Sequence, residues 1–182
     1  MTSLRHRVPF RAVDDDDGNP AAVLDDQEQE ELVAELNAAN ARSSARAVLV
    51  LDTVLVLSAL LHIVSLFTGE NPLLAFFPSP APEPPPCPTA FTLLALALHA
   101  SLAVHLHPQP RLRGPLPYAL TYALAAVAPA VALVLGCAWQ TTAWAAVPAL
   151  VVALTHSVHA TLREGDAALA ELESLKYRAP GP

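Results

Sequence analysis

Apolar residues in this chain fall in blocks rather than at a helical or strand period. The first block, Ala47 to Phe67, reads AVLVLDTVLVLSALLHIVSLF, with one acid and one histidine in an otherwise apolar run. About 20 apolar residues cross the hydrocarbon core of a bilayer as a helix. Helix is the open choice there, because every backbone N–H and C=O has to be paired within the segment. Three more blocks follow, at about 91–106, 118–138 and 143–162. The pattern predicts an all-α integral membrane protein: a bundle of four transmembrane helices over 47–162, an acidic N-terminal helix before it and a short amphipathic helix after it.

The segments between the blocks set the rest of the organisation. Residues 1–22, with Pro9, Pro20 and four consecutive aspartates, read as a disordered acidic tail. Residues 23–46 read as a juxtamembrane helix. Asp25 or Asp26 is its N-cap, and acids fill its first turns, where the helix dipole favours them. Leu32, Val33, Leu36 and Ala39 form a narrow apolar stripe on it, fitted to the protein's own loops or to a partner protein. No Pro or Gly interrupts Asp25 to Phe67, so this helix runs on into the first span. The proline-rich stretch 68–90 reads as an extended loop, with a short interfacial turn at Leu73, Leu74, Phe76 and Phe77. Pro129 falls near the middle of the third span. Alanines at four-residue spacing, Ala119 with Ala123 and Ala126 with Ala130, favour close helix approach. Trp139 and Trp144 bracket a charge-free turn as interfacial anchors. In 163–182, Ala168, Leu169, Leu172 and Leu175 form a short amphipathic helix that Lys176, Tyr177 and Arg178 hold against headgroups.

Composition and charge add orientation. The 182 residues are 53% hydrophobic with a mean hydropathy of +0.40, which fits one bundle with tails. The net charge of −7 belongs to the N-terminal arm, where residues 1–46 hold ten acids against five arginines. Such an arm argues against nucleic acid and against tight binding to anionic lipid, though the spans require a lipid bilayer. Arg42 and Arg46 precede the first span, Arg111 and Arg113 separate the second and third, and Arg163, Lys176 and Arg178 follow the fourth. The other two loops carry no Lys or Arg. The positive-inside rule therefore places both termini in the cytosol. The first span starts too late for a cleavable signal peptide and is expected to remain as an uncleaved span, in the endoplasmic reticulum or another endomembrane.

Candidate chemistry is sparse. Asp52 lies within the first span, His156 and His159 sit one helical turn apart near the end of the fourth, and His105 and His107 end the second. A carboxylate with imidazoles is a ligand set for zinc or a proton relay, so Asp52, His156 and His159 are the candidate metal residues. The alternative is a structural polar cluster, with Asp52 bonded to Thr155, a histidine or an arginine. No H-E-x-x-H, phosphate loop or nucleophile elbow is present, and no cofactor is implied. Cys87 and Cys137 both fall on the non-cytosolic side and are open to either a bridge or two free thiols. The functional expectation is a non-enzymatic structural or adaptor protein that displays its cytosolic helices. The alternative is a small transporter or membrane enzyme using Asp52 with the histidines.

Overall fold

The computed structural model of the chain describes residues 26–78, 87–107 and 116–175, all of whose regular structure is helical. The helices are α1 (Asp26–Thr68), the single turn α2 (Leu73–Phe76), α3 (Pro88–Leu106), α4 (Tyr118–Val134) and α5 (Trp139–Ser174). The tail at 1–22, the turn with Arg111 and Arg113, most of the proline cluster, and Lys176, Tyr177 and Arg178 lie outside the described residues.

Three helices, α1, α3 and α5, are long and apolar enough to cross a membrane; α4 is apolar but only 17 residues long. The burial pattern fits lipid contact. Leu49, Val50, Val56, Leu57, Leu93, Leu133, Val134 and Leu150 are exposed on the helix exteriors, while Ser58, His62, Thr92, His99, Thr121 and Thr155 are buried. Water would penalise that much outward apolar surface, and lipid does not. The inward polar groups bond along their own helices, Thr92 to Pro88 O at 2.8 Å and Thr155 to Val151 O at 2.8 Å. This back-bonding satisfies a hydroxyl without water. The shared core is Leu55, Leu98, Leu102, Ala125, Val151 and Val152.

Helix ends follow local chemistry. Gly136, at φ 68°, ends α4: its N–H bonds Leu133 O at 3.1 Å and the Cys137 N–H bonds Ala132 O at 2.9 Å. That paired closure requires the left-handed conformation glycine adopts cheaply. The connection between α4 and α5 is therefore 135–138, and the expected Gln-Thr-Thr turn is instead the first turn of α5. Cys87 and Cys137 are both free thiols.

Two expectations about helix faces need correction. The buried stripe of α4 is Thr121, Ala125, Ala128 and Ala132, whereas Ala119, Ala123, Ala126 and Ala130 are exposed. On α1 the inward positions are Val33, Asn37, Asn40 and Ser44, continuing to Leu51, Leu55, Ser58 and His62 at alternating spacings of three and four. Leu32, Leu36 and Ala39 face outward.

The last third of α5 is a third correction. No break separates it from the fourth apolar block, so residues 163–174 continue α5 rather than forming a separate helix. They run antiparallel beside the first part of α1. The Asn37 side-chain amide donates to Glu173 Oε1 at 2.9 Å, and the Asn40 amide donates to Asp166 Oδ1 at 3.0 Å. The two polar arms make a two-helix stalk on the end of the apolar bundle. Gly165 faces α1 within it, where an added Cβ would lie 3.0 Å from Asn40 Oδ1. Gly165→Ala moves only the end of a flexible side chain and gains helix propensity of about 1 kcal/mol, so it should be tolerated. Gly165→Leu should part the arms. With cysteines at 37 and 173, oxidative cross-linking is expected to persist in the alanine variant and to fall sharply in the leucine variant. Equal cross-linking in both would refute the close approach.

Candidate functional site

Six of the seven histidines lie among the described residues, and they divide into two groups. His62 of α1 and His99 of α3 are deep, each only 3% exposed. His62 Nδ1 lies 2.8 Å from Ser58 O and His99 Nδ1 lies 2.6 Å from Ala95 O. A carbonyl only accepts, so each Nδ1 carries the proton and each Nε2 is left with a lone pair. His99 Nε2 then accepts from the Ser58 hydroxyl at 2.8 Å, across the α1–α3 contact. The His62 ring stacks on Trp144 of α5 at 4.6 Å and lies 5.2 Å from the His99 ring. Trp144 is thus turned inward, and of the two expected anchors only Trp139 is exposed.

Beside this network, at the end of the bundle opposite the stalk, is a cavity of about 50 Å³ lined by His62, Thr92, Trp144, Thr141 and Asn71 among others. The segment after α1 closes over that end. The Asn71 amide donates to Gln140 O at 3.2 Å, and Asn71 Oδ1 accepts from the Leu73 N–H at 3.0 Å. The space suits a few waters at most. The Ser58 hydroxyl is buried away from the cavity lining, and His99 Nε2 is already occupied. The Ser58–His99 bond links α1 to α3.

The second group lies at the stalk end of the bundle. His105 Nε2–H donates to Leu116 O at 2.8 Å and its ring stacks on Tyr118 at 4.4 Å. Tyr118 stacks on His156 at 4.3 Å, and its hydroxyl is 3.1 Å from His159 Nδ1. The Tyr122 hydroxyl is 3.2 Å from His156 Nδ1. This ladder of rings ties α3 and α4 to α5.

Asp52 joins neither His156 nor His159. Its two carboxylate oxygens accept from His107 Nε2–H at 3.0 and 2.9 Å. His107 follows the last residue of α3, so Asp52 sits level with that helix end rather than deep in a span. Of the three candidate metal residues the structure brings His156 and His159 to tyrosines and Asp52 to a different histidine. Among the described residues no three His, Cys, Asp or Glu side chains gather closely enough to hold a metal ion. The residues that sequence reasoning passed over are Ser58, Tyr118, Tyr122, Asn37 and Asn40. Their only signal was position, because each lies on a stripe with other inward residues.

The Asp52–His107 pair is half open, with the carboxylate side chain 32% and the imidazole 57% exposed. A half-exposed polar pair of this kind contributes about 0–1 kcal/mol. Asp52→Asn should therefore shift bundle unfolding in mixed micelles by less than about 1 kcal/mol. A loss several times larger would mean that Asp52 holds something beyond His107.

No family model, curated protein or solved structure matches the chain.

Proposed function

We propose that this chain is a non-enzymatic multi-pass membrane protein, of structural or adaptor type, whose apolar bundle anchors a two-helix stalk and presents it to cytosolic partners. The pairing of the α1 and α5 arms carries this reading. Two helices that leave the bundle without a break and bond to each other through Asn37–Glu173 and Asn40–Asp166 make a preorganised display surface. A chain whose arms were only tails would leave them separate.

Four crossings fit the pairing. Arms that lie side by side share one side of the membrane, which requires an even number of spans. Arg42, Arg46 and Arg163 flank the bundle at the stalk end, and the charge rule assigns that side to the cytosol. The polar groups in the interior support the structural half of the reading. Ser58 with His99, and the tyrosines with His156 and His159, are bonded to one another across helix contacts, as expected of groups that lock a bundle.

The test is affinity capture of the full chain from mild detergent, compared with Gly165→Leu, in which the spans are intact and the arms parted. A protein enriched with the intact chain and lost from the variant supports the adaptor reading. Identical capture by both overturns it.

A further inference from the structure

The register of the stalk resolves its surface into bands. Asn37 and Glu173 are bonded across the seam. Leu36 and Leu172 each precede a seam residue on their own helix. In an antiparallel pair, positions equally displaced from the seam fall on the same side of it. Leu36 and Leu172 therefore share one side, and they are 41% and 38% exposed. Leu32, which precedes the buried Val33, extends this band on α1. One residue further back from the seam stand Glu35 and Glu171, both exposed. The outer end of the stalk thus presents a leucine strip with a carboxylate at each edge, Glu35 on α1 and Glu171 on α5.

We infer that this strip is the docking surface for a basic amphipathic helix of a partner protein; this rests on the adaptor reading above and names its partner class. The charge selects the occupant. Residues 29–40 and 164–175 contain Glu30, Glu31, Glu35, Glu164, Asp166, Glu171 and Glu173 and no Lys or Arg. A second copy would bring like charge against like, which costs affinity. An anionic leaflet would be repelled for the same reason. A helix with leucines at i, i+3, i+4 and i+7 covers the strip, and lysines or arginines beside them reach Glu35 on one edge and Glu171 on the other. The opposite side of the stalk has a different character. It is a shallow groove along Asn40, Ala41, Ser44, Leu162 and Ala170, polar or small at most positions.

The test uses the full chain in nanodiscs of neutral phosphatidylcholine and a fluorescent helical peptide of that leucine–lysine pattern. Leu36→Ser with Leu172→Ser, and separately Glu35→Gln with Glu171→Gln, should each weaken peptide binding about tenfold or more. Ala41→Gln with Ala170→Gln, on the opposite side, should leave it unchanged. Cross-linking of cysteines at 37 and 173 checks that each variant keeps its stalk. Equal binding of a scrambled peptide of the same composition would overturn the inference, since charge alone would then suffice. Loss of binding in the opposite-side variant would also overturn it. Leucine-dependent dimers in light scattering, or leucine-dependent binding to phosphatidylserine vesicles, would do the same by assigning the strip to a second copy or to lipid. A partner lost on Gly165→Leu but kept on Leu36→Ser with Leu172→Ser would refute the docking surface and leave the adaptor reading standing. No stalk-dependent partner at all would remove the adaptor reading itself.

Discussion

His99→Ala is expected to destabilise the bundle by about 2–3 kcal/mol, the largest loss for any single truncation of a buried polar side chain here. Two effects contribute, and their sizes differ. The first is the bond from the Ser58 hydroxyl to His99 Nε2. Side-chain hydrogen bonds between helices in lipid average about 0.6 kcal/mol, since the unpacked state also finds partners. The second is the space left by an imidazole that is 3% exposed and packed near the His62 ring. Transfer from water contributes little inside a membrane, but the lost contacts are not replaced, and a ring-sized void costs a few kcal/mol. The cavity therefore outweighs the bond. Ser58→Ala, which removes the bond and hardly any volume, should cost about 0.5–1 kcal/mol. His99→Phe, which keeps most of the volume and strips Ser58 of its acceptor, should fall between them. Reversible unfolding in mixed micelles gives all three values. An alanine variant no weaker than Ser58→Ala would show that His99 is loosely packed, contrary to the structure.

The ordering reflects what was legible in the sequence. The existence of the helices was, because runs such as Ala47 to Phe67 leave a backbone in lipid few alternatives. Their continuity was legible for α1, where neither Pro nor Gly intervenes. The same reasoning was not carried to the end of α5. The pattern reads 163–182 as a separate amphipathic helix, yet α5 runs unbroken through Gly165, which lies against the Asn40 side chain. Which face turns inward was not legible. Within an apolar span, alanines occur at several registers, and α4 offers both Ala119–Ala123 and Thr121–Ala125 at equal spacing. What separates them is polarity. Thr121 bonds its own helix and is fully buried, and the same rule picks out Ser58, His99 and Thr155. Pairing across helices was the least legible. The sequence sets four histidines beside Asp52, namely His105, His107, His156 and His159, and the depth at which α3 ends selects His107.

Protease protection in sealed microsomes is expected to shield a tag inserted at residue 83 and to expose tags at both termini and in the turn near Arg111. Three helices meet the length for crossing and α4 does not, so a three-span arrangement is the serious competitor. It fails on parity. Three crossings put the arms of α1 and α5 on opposite sides, where the 2.9 Å bond from Asn37 to Glu173 could not form. Transfer favours four crossings too. Leaving α4 outside lipid would expose Leu120, Val127, Leu133 and Val134, already turned outward, to water at about 1.5–3 kcal/mol each. Against this stands the short length of α4. Seventeen residues rise about 25 Å, short of a hydrocarbon core of about 30 Å. Mismatch costs fractions of a kcal/mol per Å, a total of a few kcal/mol at most, and local thinning absorbs it. Four outward apolar side chains outweigh that cost. The four-span arrangement therefore predicts both terminal tags digested without detergent and the residue 83 tag cut only after detergent is added. A C-terminal tag protected while the N-terminal tag is digested would establish an odd number of crossings and break the stalk into two unrelated arms.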